Sequence, residues 1–312
     1  MTLRVIFLGT PDFAAPSLRA LIEAGHDLVA VYTQPPRPAG RGHNEKKSSV
    51  HKLADSLNLS VRTPSDLKTR EEINFFINLK ADVGVVVAYG LMLPLEFINS
   101  PTFGCINLHA SLLPRWRGAS PIQHAILAND KSYGFTLMQI EEGLDSGPIM
   151  MKKQLKVEPR PNAGILHDHI SKEGAKALVS TLDKIEHSDY ALYPQEQDSV
   201  TIAPKLSTKD ARLDWNLSAT ELDCRVRAFH PDPGAWFIVN DQRIKVIEAE
   251  AVEVDGEPGT LLPDFTIACA EGGLKIQRVQ RQGKKSMAAR EFLRGFDFPI
   301  GTVLNRKIGG SE

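Results

Sequence analysis

Asn107 and His109 stand in Cys105-Ile106-Asn107-Leu108-His109, a stretch that alternates apolar with polar and then runs through Ala110-Ser111-Leu112-Leu113 to Pro114. Alternation of that period predicts a β-strand, and residues i and i+2 of a strand share a face. Both polar side chains can therefore converge on one small volume. An asparagine amide placed there can donate to an oxyanion, and a histidine can carry a proton. The pair suits chemistry at a carbonyl carbon. An isolated Asn-x-His is also what a turn cap beside a structural histidine looks like, so the pair gains weight from a third group. Gly143-Leu144-Asp145-Ser146-Gly147 supplies it, because glycines on either side let the chain turn sharply and present one carboxylate. Asp145 fits an ordinary Asx-turn; it also fits a partner that orients the His109 ring.

The elements around these groups read as an open parallel sheet. Residues 3–8 form an apolar run ending in Gly9-Thr10-Pro11-Asp12, residues 16–24 carry a helical pattern, and residues 28–32 are a second apolar strand. Such a strand-helix-strand opening builds parallel sheets. Its turn lacks Gly-x-Gly-x-x-Gly, which excludes the dinucleotide fingerprint and argues against a dehydrogenase. Helices are expected over 49–57 and 71–79, a buried strand over 83–87 closed by Ala88-Tyr89-Gly90, and a short helical turn over 94–98. Ligands of open parallel sheets sit beyond the carboxyl ends of the strands, and Asn107 and His109 lie at such an end. Further on come a helix over 120–128, strands over 134–140 and 149–157, and a long helix over 162–185 with a mild break near Gly174.

The expected organisation is an α/β domain over 1–188, a linker over 189–209 and a small β-barrel domain over 210–312. The barrel follows from one helix over 219–229 and short alternating segments at 236–239, 243–249, 265–270 and 274–279. Two domains are also what 312 residues suggest, and 42% hydrophobic with 24% charged residues is an ordinary globular balance. A net charge of -1 means that any anionic partner has to be met by local basic patches. One is the Pro- and Gly-rich stretch 34–47 with Arg37, Arg41, Lys46 and Lys47, either a solvated loop or a probe for a phosphate backbone. The other is Lys275, Arg278, Arg281, Lys284, Lys285, Arg290 and Arg294 around the single acid Glu291, on the barrel. Cys105, Cys224 and Cys269 are odd in number and widely spaced, which fits a reducing compartment. With no leader-like start and no run of membrane-spanning length, a cytoplasmic monomer is expected. His43, His51, His109 and His124 lack the spacing of a zinc site, so no metal is expected.

Asn107-x-His109, the Ser111-Leu112-Leu113-Pro114 turn and Gly143-Leu144-Asp145-x-Gly147, in this order and register, resemble the folate-dependent formyltransferases, which move a formyl group from 10-formyltetrahydrofolate to an amine. The resemblance runs the length of the chain to the members of that family that act on initiator methionyl-tRNA. Gly9-Thr10-Pro11-Asp12-Phe13, Thr33-Gln34-Pro35, Arg37-Pro38-Ala39-Gly40-Arg41-Gly42 and Arg115-Trp116-Arg117-Gly118-Ala119 carry it in the first half; Ala203-Pro204-Lys205-Leu206 and Gly283-Lys284-Lys285-Ser286-Met287 carry it in the second.

The resemblance implies a Rossmann-like catalytic domain followed by an OB-like barrel, with 10-formyltetrahydrofolate as co-substrate. It would have Asn107 bind the formyl oxygen and His109 and Asp145 manage the proton. Tyr89, Gly90, Ser111, Leu112, Leu113 and Pro114 would line the folate site. Arg41, Lys46 and Lys47 would reach the acceptor end of the tRNA, and Lys284 and Lys285 would hold its backbone. The chain departs from the family where His43-Asn44-Glu45 precede Lys46-Lys47, where Ser48-Ser49-Val50-His51 replaces a Ser-Pro-Val-Lys, and at Asp232, where an aromatic is common. Three other readings share these residues: a formyltransferase for an amino sugar on a nucleotide, a hydrolase releasing formate from the same folate, and a folate- or RNA-binding protein without catalysis.

Overall fold

Near-continuous apolar runs can be buried on both faces only in the middle of a covered sheet, and the strands Arg4–Gly9 and Val83–Val87 are buried along almost their whole length. The computed structural model describes residues 2–39 and 44–304. The chain divides into two compact units, one of Met1–Pro121, Ser132–Lys156 and His167–Ala203, the other of Ile122–Lys131, Val157–Leu166 and Pro204–Glu312.

The first unit is built on a seven-stranded sheet in the order Ile149–Leu155, Tyr133–Gln139, Cys105–His109, Val83–Val87, Arg4–Gly9, Asp27–Tyr32, Val61–Arg62. Pairing is parallel from Cys105–His109 through to Val61–Arg62, and antiparallel for the two strands at the other edge. Side-chain oxygens of Ser48 and Thr69 cap the helices Ser49–Ser56 and Arg70–Asn78 by accepting from His51 N and Glu72 N. The departure at residues 48–51 is thus a helix start. Behind the sheet, Tyr32 donates to Glu72 at 2.8 Å, and Arg62 pairs with the same carboxylate at 2.5 Å.

The helix Ala163–Glu186 runs through Gly174 without the expected break. The reason is close packing: a Cβ on Gly174 would lie 2.7 Å from Leu108, so the bare position admits the strand that carries His109. Residues 37–47, read as loop, contain a two-stranded ladder in which Arg37–Ala39 pairs antiparallel with Asn44–Lys46.

In the second unit the helix Ala219–Ala228 opens on a capping box between Ser218 and Glu221. Its sheet is antiparallel and six-stranded, in the order Ala235–Val239, Gln242–Val252, Gly273–Arg281, Thr266–Ala268, Leu261–Leu262, with Ser286–Ala288 also on Gly273–Arg281. Register shifts around Glu248 bend the longest strand. Among the described residues no pairing joins the two ends of this path, so the expected α/β part with a separate part of short strands after it stands, while closure into a barrel is not seen. Trp215, Phe237, Phe265 and Phe292 fill its core. The strand Ser286–Ala288 and the helix Ala289–Gly295 have no counterpart among the elements expected from sequence.

Candidate active site

The strand Cys105–His109 ends beside the antiparallel strand Tyr133–Gln139, with Asn107 opposite Met138 and His109 opposite Thr136. Alternation sends Asn107 and His109 to one face, and Asp145 reaches them from the loop after Gln139. Its Oδ1 lies 3.4 Å from Asn107 Nδ2, and its Oδ2 lies 3.5 Å from His109 Nδ1. The expected three groups are therefore brought together.

Asp145 Oδ2 also accepts from the backbone N–H of Gly118 at 2.8 Å, and the His109 Nε2 faces the Trp116 carbonyl at 2.8 Å. A carbonyl can only accept, so in this arrangement Nε2 carries a proton. His109 is 5% exposed, and the Asp145 side chain 15%. Charge that develops here meets fixed dipoles in a partly water-excluded site, where they are most effective. Cys105, at the far end of the strand, donates to the Phe97 carbonyl, and burial pushes its thiol up to about 12, so it is an inert core residue.

The Ser111–Pro114 turn is held from behind by Thr136, whose Oγ1 donates to the Ser111 carbonyl at 2.7 Å and accepts from Leu113 N at 3.1 Å. Ser111 Oγ donates to the Arg115 carbonyl, and the Leu113-Pro114 bond is cis. Leu113 is fully buried against Met138 and Ile149, so its side chain serves the packing while Leu112 is half-buried. Tyr89 is similar. Its ring lies in the core with its hydroxyl unpartnered, and burial holds the phenol well above its ordinary range. What faces outward is Gly90, at φ +85, and the Tyr89 carbonyl is fixed by Thr10 Oγ1 at 2.9 Å and Gln34 Nε2 at 3.2 Å.

The basic candidates are spread out. Arg41 lies outside the described residues. Lys46 is exposed on the ladder, and Lys47 is paired with Asp55 at 2.6 Å. Lys284 and Lys285 are exposed on the turn after the strand Gly273–Arg281, whose shape Gly283 at φ +72 and a bond from Gln280 Nε2 to the Lys284 carbonyl maintain. Of the residues that hold the site together, Arg117 and Gly118 stand in a stretch that carried the family resemblance, while Thr136, Gln195 and Thr201 carry no local sequence signal. Their role depends on contacts up to 85 positions apart.

Fold and site define an α/β protein equipped for chemistry at a carbonyl carbon. A family model described as formyl transferase matches residues 3–182, and one described as formyl transferase, C-terminal domain, matches residues 205–297. The chain belongs to the formyl transferase family. It is 49% identical over 304 residues to the methionyl-tRNA formyltransferase of Paramagnetospirillum magneticum, spanning 97% of this chain and 100% of that one. It is 46% identical to the enzyme of the same name from Parvibaculum lavamentivorans, over 94% and 97% of the two chains. Among solved structures, the N-formyltransferase of Helicobacter canadensis in complex with folinic acid and dTDP-3-aminofucose superposes with a TM-score of 0.68 at 19% identity, over 90% of this chain and 100% of that one. HypX of Aquifex aeolicus in complex with tetrahydrofolic acid gives 0.64 at 17%, over 94% of this chain and 47% of that one, so this chain spans about half of HypX. At these identities the structures show a shared fold.

Proposed function

We infer that this chain transfers the formyl group of 10-formyltetrahydrofolate to the α-amino group of initiator methionyl-tRNA, the modification that prepares it for translation initiation. The observation that carries the reading is the convergence of Asn107, His109 and Asp145 at one strand end, in a chain similar over nearly its full length to relatives named for this reaction. The site suits a one-carbon donor. Asn107 has only a long 3.4 Å bond to Asp145, so its amide can turn to a ligand oxygen, and Gly90 offers open backbone beyond the neighbouring strand Val83–Val87. Ser111, Leu112 and Pro114, with Tyr89 and Gly90, form the folate-facing surface in this reading.

The attacking amine is an ordinary nucleophile once neutral, with a free α-amino pKa of about 7.7 to 8.0. The harder task is the oxyanion that develops as it adds to the formyl carbon. Asn107 Nδ2 donates to that oxygen, and a protonated His109 joins it when its Nε2–H turns from the Trp116 carbonyl to the incoming oxygen; Asp145 holds the ring and helps return a proton to the departing folate nitrogen. Loss of one such donor typically costs about 2.7–4 kcal/mol. The half-buried setting of Asn107 and the burial of His109 are what give those bonds their strength.

The tRNA is read as the acceptor because the second unit exposes Lys284, Lys285, Arg290 and Arg294 on and beyond one strand and turn, a density of charge that suits a phosphate backbone. We take its bent antiparallel sheet as OB-like, with Arg41 and Lys46 at the acceptor end, and the protein as cytoplasmic. Among the described residues no helix is long and apolar enough to cross a membrane.

The test is transfer of labelled formyl from 10-formyltetrahydrofolate to charged initiator tRNA, with elongator methionyl-tRNA and free methionine as controls. Formylation confined to the initiator is expected. Release of formate alone, or transfer to a nucleotide amino sugar and not to tRNA, would overturn the acceptor while keeping the site.

A further inference from the structure

Both partners of His109 sit in irregular backbone. Trp116 has φ 66 and Asp145 has φ 47, left-handed conformations that non-glycine residues keep where their surroundings over-determine them. The strand that carries His109 cannot impose this, so the restraint comes from elsewhere.

It comes from residues 193–203, the stretch expected to be linker. Tyr193 exchanges both backbone hydrogen bonds with Ile149, at 2.8 and 2.9 Å, and Ile202–Ala203 pairs parallel with Arg117–Gly118. Between these anchors Gln195 is 6% exposed, with its amide fully used. Nε2 donates to the carbonyls of Asp145 and Gly147, both at 2.8 Å, and Oε1 accepts from Arg117 Nε at 3.0 Å and Nη2 at 2.8 Å. Thr201 grips the other partner, since its Oγ1 accepts from Trp116 N at 2.8 Å and its carbonyl accepts from Arg117 N at 2.9 Å. One short strap therefore holds the carboxylate at Nδ1 and the carbonyl at Nε2.

We propose that Gln195 is a positioning residue for formyl transfer. It touches neither substrate in this reading. It acts through Asp145, fixing the loop so that one carboxylate meets His109, Asn107 and the Gly118 amide together, while Thr201 does the same for Trp116. A side-chain amide is the right group, because it offers two donors for the two carbonyls and a two-lone-pair acceptor for the guanidinium. The segment is then part of the catalytic machinery, and the last stretch of the second unit begins at Pro204. The inference rests on the formyl-transfer reading, and its test separates the two.

Gln195→Met keeps the length of the side chain and removes its polar atoms; Gln195→Glu keeps the acceptor for Arg117 and removes the donors, setting a carboxylate oxygen against the two carbonyls. Each is expected to lower kcat about 100-fold, the cost of a small misplacement of catalytic groups. KM for folate and tRNA is expected to stay within about threefold. On an Asp145→Ala background Gln195→Met is expected to cost less than about threefold further, because no carboxylate remains to be placed. Tyr190→Ala, an exposed change a few residues away, serves as the control and should behave as wild type.

Amide exchange at Gly118 reports the same geometry without turnover. It is expected to accelerate about tenfold in both Gln195 variants, with the amides of Tyr133–Gln139 unchanged. The positioning role is overturned if kcat in a folded variant stays within about threefold of wild type, if the full loss persists on Asp145→Ala, or if Gly118 exchange does not move. A wild-type chain that moves no formyl group, with Gly118 exchange still responding to Gln195, would overturn the formyl-transfer reading and leave standing only the hold of Gln195 on the Asp145 loop.

Discussion

The end of the strand Cys105–His109 and the turn carrying Lys284 and Lys285 are built on opposite plans. At the first, the polar groups hold one another: His109 has a partner at each ring nitrogen, and Asp145 spends its oxygens on Asn107, His109 and Gly118. At the second, the backbone is shaped by Gly283 and Gln280 while the ammonium groups stand in water. The contrast fits the tasks proposed for the two regions. Stabilising charge on one atom requires donors that do not reorganise, and burial raises their worth. Meeting a phosphate backbone requires charge density, which works through counterion release and tolerates mobile side chains.

The comparison can be broken first at its buried end. Asn107→Ala is expected to slow single-turnover formylation by about 10²–10³ with tRNA affinity unchanged, because it removes a donor used as the oxyanion forms. A loss that appears in tRNA binding instead would move Asn107 from chemistry to recognition. Gly147→Ala comes next. A Cβ there would lie 1.9 Å from the Gln139 carbonyl, a backbone atom that cannot swing away. Overpacking of this kind costs about 1–3 kcal/mol, to be read in denaturant unfolding, and kcat should fall with it as the Asp145 loop shifts.

At the exposed end, replacing Lys284 and Lys285 together by alanine should raise KM for tRNA about tenfold at low salt and leave kcat intact. The dependence of log affinity on log salt should flatten by about 1–2, at about 0.9 for each phosphate left without its cation. A change in kcat instead would mean that the turn takes part in placing the amine. The smallest effect tests a partly exposed carboxylate of the first unit, Glu173, held between Lys153 and Lys176. Hydrogen bonds from Lys176 and then Lys153 hold the Glu173 carboxyl down at about 2, against an ordinary 4.5. A depressed folded value stabilises the fold where the carboxylate is ionised, fully above about 4.5, and that gain fades as pH falls toward 2. Glu173→Gln should therefore cost less than about 1 kcal/mol at pH 7 and nothing near pH 2, measured by chemical denaturation.

Much of the first unit was legible because its signals are local. Apolar runs marked the strands Arg4–Gly9 and Val83–Val87, alternation put Asn107 and His109 on one face, and glycines marked the turn that presents Asp145. Gly174 misled because a glycine in a helix reads as weakness until Leu108 is found against it. In the second unit, short alternating segments announced a module of short strands, read as a barrel, and whether such a sheet closes depends on edges that no local pattern specifies.

The chain alone made legible the proposed chemical groups: an amide and an imidazole that strand periodicity puts on one face, and a carboxylate presented by a glycine-flanked turn. Tertiary structure alone decided how that chemistry is held. The Trp116 carbonyl on His109, the Gly118 amide on Asp145, and the clasp of Gln195 and Thr201 over both join residues 7 to 85 positions apart. Such pairings are set by sheet order and the path of a strap across it, and leave no periodic trace in the chain.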